Sequence, residues 1–319
     1  MMKQNKQYIF EKLINNIIQS KKKSSPSFSY IKNGWCGGIH SNDNNPIPTV
    51  FYVGGGKTAS TSLSYGFHQN NVAHWHGTKH FEYFYSPNER LLSNNNYDLY
   101  DLIIYIGKKY QFKPLIIEVI REPITRQISQ TFHHLAKKPH RRSCVTNNLR
   151  ECDLCKIVGC KRPRKKKRKW EIISPTEKND TINELTSYIK NNKIKPFYYS
   201  SKDCYAINFY KKHFNIDIPT VFNNNKGFYF NNTKNAKLLI LRYEDINQWS
   251  TIIKSIGYIF SLENKNISDN KKYQLGLYKK IVTDNIKFSR KSIDRIYNRL
   301  FDHFYNKKEK NKFIDKFHR

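Results

Sequence analysis

The run Pro48-Thr-Val-Phe-Tyr-Val53 passes without a break into Gly54-Gly-Gly-Lys-Thr-Ala-Ser-Thr-Ser62. Its first half is β-branched and aromatic, as a short buried strand requires. Leu63 and Phe67 then begin an apolar spacing that suits a helix. A strand that turns through glycines straight into a helix restricts the fold to sheets whose strands are joined through helices. In such a turn, backbone N–H groups converge on an anion and the helix N-terminus adds its dipole. Lys57 supplies a mobile positive charge, and Thr58, Ser60, Thr61 and Ser62 supply hydroxyl donors that can also cap the helix. The expected phosphate-binding set is therefore Gly55, Gly56, Lys57, Thr58, Ala59, Ser60, Thr61 and Ser62.

Two further units repeat the pattern. Pro114–Ile120 is an apolar run that ends in Arg121-Glu-Pro, with helical spacing from Gln127 to Leu135. Ala236–Leu241 ends in Arg242-Tyr-Glu-Asp245, followed by an apolar-periodic stretch from Ile246 to Phe260. Strands alternating with helices predict an α/β fold, with a P-loop-like central parallel sheet flanked by helices. A hydrophobic content of 38% over 319 residues supports such a core and excludes a disordered chain. Residues 1–45 read as a helix and a polar approach segment. Residues 46–319 read as the α/β domain, with a Cys- and Lys-rich insertion at about 137–180 and a helical C-terminus from Lys271.

The ATP or GTP loop is the nearest rival for Gly54–Ser62. It needs a glycine five residues before the Gly-Lys pair, where Phe51 stands. A formal net charge of +32 draws anionic partners such as nucleotides, nucleic acid or acidic glycans, without choosing among them. The N-terminus has no apolar core of signal-peptide length, and no apolar run is long enough to span a membrane. The expectation from these features is a soluble, cytoplasmic protein.

Val53–Leu63 resembles the 5′-phosphosulfate loop of sulfotransferases, especially the glycan type, where a lysine is followed by small and hydroxyl residues and then a helix. In that family a second strand ends in Arg, commonly Arg-Glu/Asp-Pro, with Ser eight residues on. Arg121 and Ser129 stand at that spacing. The plain reading of Arg121 is a strand-end ion pair with Glu122 or Asp245. Residues 238–249 (LLILRYEDINQW) and the tail from Lys271 to Phe313 resemble a related group labelled capsular polysaccharide synthesis proteins. The resemblance leaves out the N-terminal segment and the 137–180 insertion. It implies the sulfotransferase fold and 3′-phosphoadenosine 5′-phosphosulfate (PAPS) as donor, with Arg121 and Ser129 on its 3′-phosphate. It also implies sulfuryl transfer to a hydroxyl, with a carbohydrate or polysaccharide as acceptor. A P-loop-type kinase or NTPase, or a basic zinc-stapled nucleic-acid-binding protein, are the alternatives.

Sulfuryl transfer needs positive charge on the leaving bridge oxygen and a general base on the acceptor hydroxyl. Lys57 suits the first role. For the second, His74 and His76 lie on one face of an extended segment, Val72-Ala-His-Trp-His76. Glycan sulfotransferases acting on uronic acid carry a similar His-x-His after the loop helix, and others use Glu in that region, where Glu82 stands. The order of candidates is His76, His74, Glu82. Cys144, Cys152, Cys155 and Cys160 could hold a structural zinc, remain free thiols or form disulfides. The run Lys161–Lys169 reads as a solvated charge cluster, a glycan contact, a nuclear localisation signal or a nucleic-acid contact.

Overall fold

The structure is a computed structural model that describes residues 6–22, 47–54, 62–63, 66–67, 72–76, 97–136, 179–191, 205–262 and 273–319. In chain order the main elements are α1 (Lys6–Lys22), β1 (Val50–Gly54), β2 (Val72–His76), α2 (Leu99–Lys109), β3 (Leu115–Ile120), α3 (Pro123–Ala136), α4 (Asn179–Asn191), α5 (Tyr205–Phe214), β4 (Phe228–Asn232), β5 (Lys237–Arg242), α6 (Trp249–Ser255), α7 (Tyr273–Asn285), α8 (Arg290–Ile296) and α9 (Lys307–Phe317). The chain divides into two compact units. The first holds Met1–Arg121, Tyr199–Asn266 and His303–Asn306, and the second holds Glu122–Tyr198, Ile267–Asp302 and Lys307–Arg319.

The first unit is α/β, with five strands in the order β2-β1-β3-β5-β4. The three apolar runs identified in the sequence are its adjacent central strands, and they pair in parallel. β2, which carries His74 and His76, pairs in parallel outside β1. β4 closes the other side as an antiparallel edge strand. Alternate residues Tyr52, Ile117, Val119, Leu239 and Leu241 join Leu63, Phe67, Trp249, Ile253 and Phe260 in one buried cluster. The intervening residues Phe51, Val53, Ile116, Leu238 and Ile240 are buried as well. Both faces of these strands are therefore covered, which is why they read as continuous apolar runs rather than alternating ones. β4 is half-exposed and polar at its end, so it gives no such run.

Two helical stretches differ from expectation, each for a local reason. The region after β5 is not one long helix. It makes 3₁₀ turns over Tyr243–Gln248, with a non-helical kink at Asp245, before α6 begins. Asp245 is held there by Arg242, at 2.5 Å. The periodic stretch near the C-terminus breaks after α8 because the Asn298 side chain accepts the Leu300 N–H, a side-chain turn that competes with the helix.

The second unit is helical. α7 packs against α3 and α4, which also meet each other. α3 starts at Pro123, earlier than its apolar spacing suggests, because Glu122 caps it. The Glu122 carboxylate accepts from the backbone N–H of Ile124 at 2.6 Å and of Thr125 at 2.7 Å, and from the Tyr297 hydroxyl at 2.8 Å. Proline at the first helical position has no N–H to leave unpaired.

Burial pushes the Glu122 carboxyl above its ordinary range, and the hydrogen bonds offset only part of that shift. A carboxyl raised in the folded state stabilises it below the unfolded value of 4.5, and that contribution is lost as pH rises through the raised value. Urea midpoints of wild type and Glu122→Gln should therefore differ in pH dependence. The gain in stability that this group gives wild type on acidification toward about pH 4.5 should be absent in the variant.

Candidate functional site

β1, β2, β3 and β5 run in the same direction, so their carboxyl ends gather at one edge of the sheet. β1 reaches that edge at Gly54, where the glycine-rich loop begins, and Gly54 is in register with His76 at the end of β2. β3 ends at Ile120, in register with Arg242 at the end of β5, so Arg121 and Tyr243 leave the sheet side by side. From β1 the next strand in sequence lies on one side and β3 on the other. This β1/β3 boundary is the topological switch point, where the carboxyl edge of a parallel sheet opens a crevice for ligands.

Of the expected loop residues, Gly55, Gly56, Lys57, Thr58, Ala59, Ser60 and Thr61 lie outside the described residues. Ser62 is buried at 7% exposure, and the chain is helical at 62–63 and again at 66. The helix that leaves the loop is anchored by close packing. Leu63 and Phe67 enter the sheet cluster, and Phe67 meets Phe260 at 4.9 Å between ring centroids. Gly66 accepts a hydrogen bond from Ser261 N–H at 3.1 Å. A Cβ on Gly66 would lie 2.8 Å from the Ser261 carbonyl oxygen and closer still to the Phe260 ring.

His74 and His76 are placed by the β2 backbone at the positions just given. Glu82, Cys144, Cys152, Cys155, Cys160 and the 161–169 run lie outside the described residues. Ser129 lies on α3, in the second unit, half-buried.

The Arg121 guanidinium carbon sits 3.8 Å from the centroid of the Tyr243 ring. The two carboxylates suggested as its ion-pair partners have other duties. Glu122 caps α3, and Asp245 binds Arg242. Arg242 itself is buried at 3% exposure. Its Nε donates to Asp245 at 2.5 Å, and its Nη1 donates to the carbonyls of Asn224 and Phe304, each at 3.1 Å. Its own carbonyl accepts from the Trp249 indole N–H at 2.9 Å. Glu244 accepts from the Tyr305 hydroxyl at 2.7 Å. Each residue of the 242–245 motif thus has a separate task, and Tyr243 lies against Arg121. The position of Tyr243, next after a strand-end arginine, is the signal in the sequence that could have identified it.

Among the described residues one group, Asp98, Asp101 and His213, brings three potential metal ligands within 4.8 Å of one another. Asp98 and Asp101 form a reciprocal capping box at the start of α2. Asp98 also takes Lys212 Nζ and His213 Nε2, both at 2.8 Å. Burial pushes the Asp98 carboxyl up, but these partners outweigh it and hold the group below its ordinary range. Helix capping and ion pairing account for all three side chains without a metal. Among the described residues, no helix is long and apolar enough to cross a membrane.

Because the loop helix is seated through Gly66, Gly66→Ala should cost about 1–3 kcal/mol by overpacking against backbone. This would be read as a lower urea midpoint at unchanged m-value. Compared with known proteins, the chain matches no family model, no curated protein and no solved structure.

Proposed function

We propose that this protein is a PAPS-dependent sulfotransferase that transfers a sulfuryl group to a hydroxyl, of a carbohydrate or polysaccharide, on the sulfotransferase version of the α/β fold. The observation that carries this reading is the β1/β3 switch point, which sets β1, the strand that runs into the loop, beside β3, the strand that Arg121 follows. A nucleotide with phosphates at both ends of its ribose needs two anion sites a few ångströms apart. A loop that begins at Gly54 and an arginine that follows the neighbouring strand would supply two such sites. The P-loop motif itself does not call for an arginine at the end of a neighbouring strand.

The residues fit such a donor. The loop amides and hydroxyls would hold its 5′-phosphosulfate, and Arg121 its 3′-phosphate. The donor supplies a sulfuryl group: the acceptor oxygen bonds to sulfur, the bridging S–O bond breaks with its electron pair left on the 5′-phosphate, and the hydroxyl proton passes to a base. Lys57 would balance the charge that grows on the bridging oxygen. His76, level with Gly54 at the sheet edge, is the first candidate to take the proton, ahead of His74 and Glu82. The formal charge of +32 favours an anionic acceptor over a neutral one.

Adenosine 3′,5′-bisphosphate should raise the thermal midpoint clearly, and Lys57→Ala or Arg121→Ala should abolish that shift. Stabilisation by ATP with magnesium but not by the bisphosphate would overturn the proposal. For the base, His76→Ala should remove transfer while leaving bisphosphate binding nearly unchanged. Loss of both would make His76 a structural residue instead.

A further inference from the structure

Resting on the donor-site reading above, we infer that Tyr243 is a positioning residue for nucleotide recognition. Its ring is the platform that aims the Arg121 guanidinium at a ribose 3′-phosphate, so Tyr243 sets the preference for a 3′-phosphorylated nucleotide.

The geometry defines how the two groups meet. The guanidinium carbon lies over the Tyr243 ring, 3.8 Å from its centroid, close enough for a cation–π contact. The ring therefore limits where the guanidinium can lie, and a guanidinium carries its N–H donors as a planar fork. A phosphate monoester with two oxygens in one plane is the natural partner of such a fork.

Tyr243 is suited to this task because its backbone is fixed on both sides. Arg242 before it and Asp245 after it are joined by the 2.5 Å ion pair, and Glu244 is tied to Tyr305. The ring itself packs half-buried against the sheet cluster. A platform held this firmly restricts the rotamers of Arg121 before any ligand arrives, which lowers the ordering cost of binding. Nothing in Tyr243 needs to touch the nucleotide.

The test is isothermal titration of adenosine 3′,5′-bisphosphate and adenosine 5′-monophosphate into wild type, Tyr243→Phe and Tyr243→Leu. Wild type and Tyr243→Phe should share a preference for the bisphosphate, because the ring face is retained. Tyr243→Leu should lose about tenfold in bisphosphate affinity with monophosphate affinity unchanged. Tyr243→Met, closer in length, serves as a second ring-free variant should the leucine form not fold. If either folded ring-free variant keeps the full bisphosphate preference, or weakens both nucleotides equally, the role of Tyr243 is wrong while the donor site stands. If wild type itself shows no preference for the bisphosphate, the donor-site reading fails and this inference with it.

Discussion

A single buried cation organises the carboxyl edge of the sheet. Arg242 closes β5 in the interior, and four groups use it or its backbone at once: the Asp245 carboxylate, the Asn224 and Phe304 carbonyls, and the Trp249 indole. The chain just before β4 can come this close only because Gly227 adopts φ +74° and carries no Cβ, which would stand 2.8 Å from Arg242 Nη2. Lysine could not replace Arg242, since one ammonium cannot reach a carboxylate and two carbonyls in separate directions while packing beside Tyr305. Removing one partner of such a buried pair is costlier than the pair is stabilising, because the other charge is left without compensation. The end of β5, the 3₁₀ turns after it and the short 303–306 segment thus depend on one side chain.

Burial and position in the sheet decide which elements are legible in the sequence. The three central strands were visible because strands buried on both faces need unbroken apolar runs, and Phe51, Ile116 and Leu239 belong to such runs. The extended segment read at 72–76 is a strand in the structure. β4 escaped notice because an edge strand with Asn231 and Asn232 carries no apolar period. The Glu122 cap was visible only in part: Glu-Pro announces a boundary, but burial of the carboxylate beside Tyr297 depends on residues far along the chain.

The elements of the candidate site were legible in kind: glycines after a strand, and an arginine just after another strand, are readable through local rules alone. That the two strands are neighbours, with the switch point between them, is a property of strand order, which no local pattern encodes. The partner of Arg121 was similarly hidden. Carboxylates at 122 and 245 were the electrostatic expectation; Glu122 caps a helix, Asp245 binds Arg242, and the guanidinium also lies against the Tyr243 ring.

The pairing of Gly54 with His76 has a consequence for how such a protein can change over time. The relative height of these two residues is set by hydrogen bonds between β1 and β2, not by the length of chain that joins them. Insertions or deletions in the connection after the loop helix leave that alignment intact. So do changes downstream of His76. The loop that follows Gly54 and the chain that follows His76 can therefore change independently, with the sheet acting as a ruler between them.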